Sequence, residues 1–236
     1  MSTPDHEPAS IAEFAAARER VLDAIGEAAA RAGRDPASIA LVAVSKTVPP
    51  DRLIAAVAAG LTTLGENRVQ EAEAKVALVP GAEWRLVGPL QSNKAKRALA
   101  AFTAIDSVDT TELAGRLDRL AAEVRPGERV PVQLQVNVDG DPAKAGFEPA
   151  DLQAALISLM DLANLDVRGL MTVGRLVDRP EDARSTFVAL RELSERLRPD
   201  GLGPELSMGM SDDYEIAIEE GATIVRVGRA LFGHGH

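Results

Sequence analysis

Between residues 39 and 227 the chain alternates between two kinds of apolar pattern. Short β-rich runs occupy 39–45, 62–65, 84–88, 103–108, 130–138, 165–173, 204–208 and 223–227. Helix-spaced runs lie between them, at 50–59, 68–78, 92–101, 110–124, 149–162, 180–197 and 212–220. Turn residues mark the joins: Gly60, Pro80-Gly81, Pro126-Gly127, Asp139-Gly140, Pro199-Asp200-Gly201 and Gly221. Strands separated by helices form parallel sheets with right-handed crossovers. Eight such units predict an α/β fold, a single (β/α)8 TIM-type barrel, since these barrels run to about 250 residues as one unit. Only residues 228–236 follow the last strand, too few for a full outer helix. An extra N-terminal helix over 11–31 is expected to fill that place. Ser10 would cap it, and Ile11, Phe14, Val21, Leu22 and Ile25 would form its apolar stripe. Residues 1–9 read as disordered and 10–236 as a single domain.

Composition removes several kinds of chemistry. The chain has no cysteine, so thiol nucleophiles, disulfides and cysteine metal sites are excluded. The three histidines are His6, His234 and His236, all near the ends, which leaves none for a Ser-His-Asp triad or an internal metal centre. His234 and His236 read as a loose tail rather than a chelating pair. The net charge of -10 argues against binding nucleic acid or an anionic membrane. No apolar run approaches the roughly 18 residues of a membrane span. The first ten residues, MSTPDHEPAS, lack the basic and apolar parts of a signal peptide. A soluble cytoplasmic protein is expected.

In a parallel barrel, ligands gather at the carboxyl ends of the strands. The first run, Ile39 to Val44, leads into Ser45, Lys46 and Thr47, then Pro49-Pro50. Lys46 therefore falls at the barrel mouth, where partial burial would make its amine a nucleophile able to form a Schiff base. The alternative is a surface lysine just past a strand. Loops after the seventh and eighth strands form the usual phosphate site of such barrels. Ser211 precedes the run at 212–220, where its hydroxyl and the helix's free amides could hold a phosphate. Ser211 as an ordinary N-cap, with Asp212 and Asp213 facing the helix dipole, accounts for the same residues. Gly228 lets backbone approach closely. Arg226 alternates with Val225 and Val227, so it points to the opposite face. It needs a partner there, either a ligand atom or one of the acidic residues. A lysine, a phosphate loop and an arginine at one mouth suit pyridoxal phosphate (PLP). An aldolase-type barrel using Lys46 on a sugar phosphate is the reading without PLP.

The motifs also resemble a known family. AVSKT at 43–47, GEN-VQE across 65–71, GPLQSNK at 88–94, Lys144 with Gly146, RGLMT at 168–172, LSMGMSDD at 206–213 and VR-G across 225–228 are similar to those of the PLP homeostasis proteins, an alanine racemase-like family. The resemblance covers nearly the whole chain after residue 39. It implies the barrel of the N-terminal half of alanine racemase. It also implies PLP bound covalently to Lys46 as an internal aldimine, with Asn67 beside the cofactor. Ser211 and the amides of Gly228 and Arg229 would hold the phosphate. Arg226 would face the pyridine nitrogen and keep it unprotonated, which discourages carbanion chemistry. The chain departs from the family pattern at Arg85, Asp141 and Arg229, where histidine, glutamate and a small residue or threonine are usual.

Racemisation needs a second base on the cofactor face opposite the lysine. In alanine racemase a tyrosine of an additional C-terminal domain supplies it. The sequence ends just after its last strand, so that domain is not expected. The only tyrosine, Tyr214, reads as a packing or surface residue. The resemblance therefore implies a binding protein that buffers PLP and related B6 vitamers and delivers the cofactor to PLP-dependent apo-enzymes; an open barrel mouth without a capping domain suggests a monomer. A PLP-dependent racemase or lyase, with Lys144 or a substrate-bound water carrying the second proton, is the enzymatic alternative.

Overall fold

The computed structural model describes residues 11–175 and 177–233. The expected disordered stretch 1–9, the Ser10 cap and the three histidines lie outside the described residues. The elements, in chain order, are α1 (Ile11–Arg31), β1 (Ala40–Val44), α2 (Pro50–Ala58), β2 (Thr63–Glu66), α3 (Val69–Val76), β3 (Glu83–Leu86), α4 (Ala95–Ala101), β4 (Ala104–Val108) and α5 (Thr111–Val124). They continue with β5 (Val130–Gln135), α6 (Pro149–Met160), β6 (Leu165–Met171), α7 (Arg184–Leu197), β7 (Glu205–Ser207), α8 (Tyr214–Glu219), β8 (Ile224–Val227) and α9 (Arg229–Phe232). All eight strands pair in parallel, and β8 returns to β1 to close the barrel. Each predicted strand is present. The run at 130–138 is shorter as a strand, because beyond Gln135 the chain begins to pair with Phe147 of the following loop. The helix expected at 212–220 starts only at Tyr214. The four-residue α9 was not expected; it is too short to carry a periodic signal.

The two faces of the barrel wall differ. Val225, Val227, Ala43 and Leu64 join the main core between strands and helices. Val42, Val87 and Ile224 form a small separate cluster inside the barrel. Polar side chains fill the rest of that interior: Arg85 grips Asp106 with two hydrogen bonds of 2.9 and 2.7 Å, and Gln133 bonds Glu205 at 3.0 Å. Buried charges of this kind persist only when paired.

Helix α1 takes the outer place expected of it, packing against α2, α8 and α9. Its seam is Phe14, Ala17, Val21, Ile25, Ala28 and Ala29. Two residues of the predicted stripe, Ile11 and Leu22, are instead exposed, because alanines at the seam let the helix approach closely. Phe14 meets Phe232 edge-on with ring centroids 5.7 Å apart. The Arg52 guanidinium lies 5.5 Å from the Phe14 ring centre. Arg31 bonds both Glu215 and Glu219. Among the described residues, no helix is long and apolar enough to cross a membrane.

Two outcomes follow from this docking. Phe14→Ala should lower unfolding free energy by roughly 3–5 kcal/mol, as for other buried aromatic truncations, measured by denaturant titration; a loss under about 1 kcal/mol would mean α1 is not docked. Hydrogen bonds from Arg184 and Arg31 hold the Glu219 carboxyl below its ordinary range. A depressed folded value means the contribution is complete above the ordinary carboxylate range and lost as pH falls through the folded value. The difference in Tm between the parent and Glu219→Gln should therefore be full at neutral pH and shrink only as pH falls below the ordinary carboxylate range, about 4.

Candidate functional site

Lys46 stands at the mouth, one residue beyond Ser45 and just after β1. It is exposed rather than partly buried, so the expected desolvation is not what readies its amine. Among the described residues its amine has no hydrogen-bond or ion-pair partner. Lys46 and Thr47 are the central residues of a tight turn closed by the Val48 amide, which donates to the Ser45 carbonyl at 3.1 Å. Thr47 has φ +65°, the one positive value on a non-glycine residue among those described. A left-handed backbone costs an L-residue roughly 1–2 kcal/mol, and a β-branched one is a genuine outlier there. Such strain concentrates at functional sites.

The β1–β8 pairing sets what lies beside this turn. Ala43 pairs with Val227 and Val42 with Arg226. A Cβ on Gly228 would come within 3.2 Å of the Val44 carbonyl, so the loop after β8 runs against the strand that ends at Lys46. Ser211 and Gly228 meet directly: the Gly228 amide donates to Ser211 Oγ at 3.2 Å. Ser211 is not the N-cap of α8. Asp213 takes the cap position, and its carboxylate accepts from the Met210 amide at 2.6 Å. Gly209, at φ +89°, makes that tight loop possible; a Cβ there would lie 2.6 Å from Ala217 Cβ. An anion at Ser211 would thus draw on the amides opening α9, at Gly228 and Arg229, whose N–H groups have no partner within the helix. The Arg229 side chain turns outward and bonds Asp212, joining the two loops.

Arg226 lies on the face opposite Val225 and Val227, as its parity predicted; that face is the barrel interior, and Arg226 is almost fully buried there. Among the described residues, no carboxylate is close enough to form an ion pair. Its guanidinium donates from Nη1 to Ser207 Oγ and from Nη2 to the Thr172 carbonyl, each at 2.7 Å. Burial pushes its pKa down to about 10, against the opposing pull of Asp106 and Asp213. It still carries its charge at neutral pH. Asn67 lies half-buried on the rim after β2. Gly88 permits this, because a Cβ there would sit 2.4 Å from the Asn67 carbonyl. Beside Asn67 a cavity of about 700 Å³ runs along Arg68, Gln70, Pro89, Gln91 and Lys94.

The residues weighed as a second base are committed elsewhere. Tyr214 is buried and belongs to the core. Lys144 donates to the Val173 carbonyl at 3.2 Å and lies 3.7 Å from Asp139. Arg85, a departure from the family pattern, is the partner of Asp106 inside the barrel. Asp141 folds back onto Asn137 and is half-exposed. Among the described residues, no group of three or more His, Asp or Glu is placed to hold a metal ion.

Sequence reasoning missed a buried set directly behind the Lys46 turn: Ser45, Glu66 and Lys75. Lys75 Nζ donates to Glu66 Oε1 at 2.7 Å and to the Ser45 carbonyl at 2.9 Å. The signal was present as the glutamate of the GEN motif, but nothing in one sequence pairs it with a lysine on the next helix.

The family model for the N-terminal domain of alanine racemase matches residues 22–235. The PLP homeostasis protein of Aquifex aeolicus is 41% identical over 218 residues, covering 91% of this chain and 95% of its own. That of Pseudomonas aeruginosa is 45% identical over 220 residues, covering 91% and 92%. The structure of PipY from Synechococcus elongatus PCC7942 with PLP bound superposes with a TM-score of 0.78 at 43% identity, covering 89% of this chain and 100% of that one.

The close approach of Gly88 to Asn67 is open to test. Gly88→Ala should cost about 1–3 kcal/mol of unfolding free energy, because backbone rather than a flexible side chain must move; a neutral effect would show that the Asn67 rim is not held by this contact.

Proposed function

Because the chain belongs to the family of PLP homeostasis proteins, we propose that it binds PLP reversibly and buffers it, as a monomer in the cytoplasm, without strong catalysis of its own. The observation that carries this reading is the unpartnered amine of Lys46, presented on a strained turn beside the Ser211–Gly228 loop pair. The residues fit the group. Lys46 would hold the aldehyde covalently and reversibly. Ser211 Oγ accepts from the Gly228 amide and so would keep its hydroxyl proton to donate to the phosphate, with the Arg229 amide, free at the start of α9, as a further donor. Arg226, fixed by Ser207 and Thr172, is a donor that keeps its proton at neutral pH, so it would leave the ring nitrogen without one. Asn67 would border the ring from the β2 side. When bound, PLP supplies an electron sink for carbon acids, and an unprotonated ring nitrogen weakens that sink.

The enzymatic reading finds less support. Tyr214 is packed in the core and Lys144 is tied to Asp139, so neither is free to act as a second base. The sugar-phosphate reading draws no support from the relatives. Related B6 vitamers would share the aldehyde or ring contacts, and transfer to apo-enzymes would begin with release from Lys46 through the exposed mouth.

After loading with PLP and removal of the free cofactor, the parent should retain a visible absorption band and Lys46→Ala should not. Loss of the α-proton from amino acids in deuterated water should stay near the rate of free PLP; rapid exchange would favour the enzyme. Ser211→Ala should weaken PLP binding by roughly tenfold or more, the worth of a hydrogen bond to a charged group, while pyridoxal without its phosphate loses little. Equal losses for both would place the phosphate elsewhere.

A further inference from the structure

The turn that presents Lys46 is held in a form its own residues disfavour. A tight turn with positive φ at its third position favours glycine or asparagine, and here that residue is Thr47. Something outside the turn must hold it. The Ser45 carbonyl, which accepts the closing Val48 amide, also accepts from Lys75 Nζ on α3 at 2.9 Å. The Lys75 charge is met by Glu66 Oε1 at 2.7 Å. The same oxygen accepts the Ser45 hydroxyl at 2.8 Å. Glu66 is fully buried, and its Oε2 has no partner among the described residues. A buried ion pair is a poor way to stabilise a fold, since apolar residues of similar size often do as well or better. What an apolar residue cannot do is grip a backbone carbonyl.

We propose that the buried Lys75–Glu66 pair is a clamp that positions Lys46 by gripping the Ser45 carbonyl and holding the Ser45–Val48 turn in its strained form. The inference rests on the reading of Lys46 as the PLP anchor. Lys75 and Glu66 are positioning residues, acting through Ser45. Without the clamp Thr47 relaxes to negative φ and the chain leaves Ser45 in another direction. The amine then occupies its binding position only part of the time, and apparent affinity falls by that fraction.

The test breaks the clamp in two backgrounds. Glu66→Gln with Lys75→Met removes both charges together and strands neither. The pair of changes is made in the natural chain and again with Thr47→Gly, because glycine adopts φ near +65° without strain. PLP is titrated by absorbance and each Tm is recorded. Clamp removal should weaken PLP binding about tenfold or more in the natural chain, but less than about threefold beside Thr47→Gly. A merely structural pair would lower Tm without any rescue by glycine. Equal losses in the two backgrounds, or no loss in either, would overturn the clamp. The unaltered chain gives a second readout should the variants fail to fold. Its Val48 amide should exchange with deuterium as slowly as the amides of β1, and fast exchange would also overturn the clamp. If the parent takes up no PLP, the binding reading fails on its own, and amide exchange still decides the clamp.

Discussion

Everything at the barrel mouth depends on the pairing of β1 with β8. These strands are the first and last of the barrel, yet Val42 lies opposite Arg226 and Ala43 opposite Val227. That ladder places Val44, the residue before the Lys46 turn, against Gly228, whose amide bonds Ser211. Closure also fixes the parity of both strands. Val42 and Arg226 face inward, while Ala43, Val225 and Val227 meet the helices. A register slip of one residue would turn Arg226 out of the interior and Val227 into it. Helix α1 covers the seam from outside, and its contacts with α8, α9 and α2 span both sides of the join.

The barrel interior is polar because it is built for positioning. Arg85 with Asp106, Gln133 with Glu205, and Arg226 with Ser207 and Thr172 each satisfy groups that would be costly alone. Arg226 owes its fixed direction to neutral acceptors, which leave its charge uncompensated by any close carboxylate. The strained Thr47 turn belongs to the same economy: tightly packed surroundings sustain a local conformation that the isolated segment would leave.

Much of this was legible in the sequence. Alternating β-rich and helix-spaced runs specify eight units, and the N-terminal helix expected from its apolar stripe is present as α1, packed against α2, α8 and α9. Parity set Arg226 opposite Val225 and Val227, and the structure shows that this face is the barrel interior. The motifs located Lys46, Asn67, Ser211, Gly228 and Arg229 at strand ends, and the geometry brings Ser211 and Gly228 within hydrogen-bond distance. What escaped was set by tertiary contact. The start of α8 depends on the Asp213 side chain tying back to Met210, which displaces Ser211 from the cap. The exposure of Ile11 and Leu22 follows from which face of α1 its alanines allow closest to the barrel. The grip of Lys75 on the Ser45 carbonyl links residues 30 apart through one backbone atom, and no periodicity records that.

The central claim is that one lysine, at the junction of first and last strands, anchors the cofactor. Borohydride reduction of the PLP-loaded protein, followed by peptide mapping, tests it most directly. The account predicts a single phosphopyridoxyl group on Lys46, absent when inorganic phosphate in excess displaces the ligand before reduction. Reduction that fixes PLP on Lys144, Lys94 or several surface lysines, with Lys46 unmodified, would contradict it.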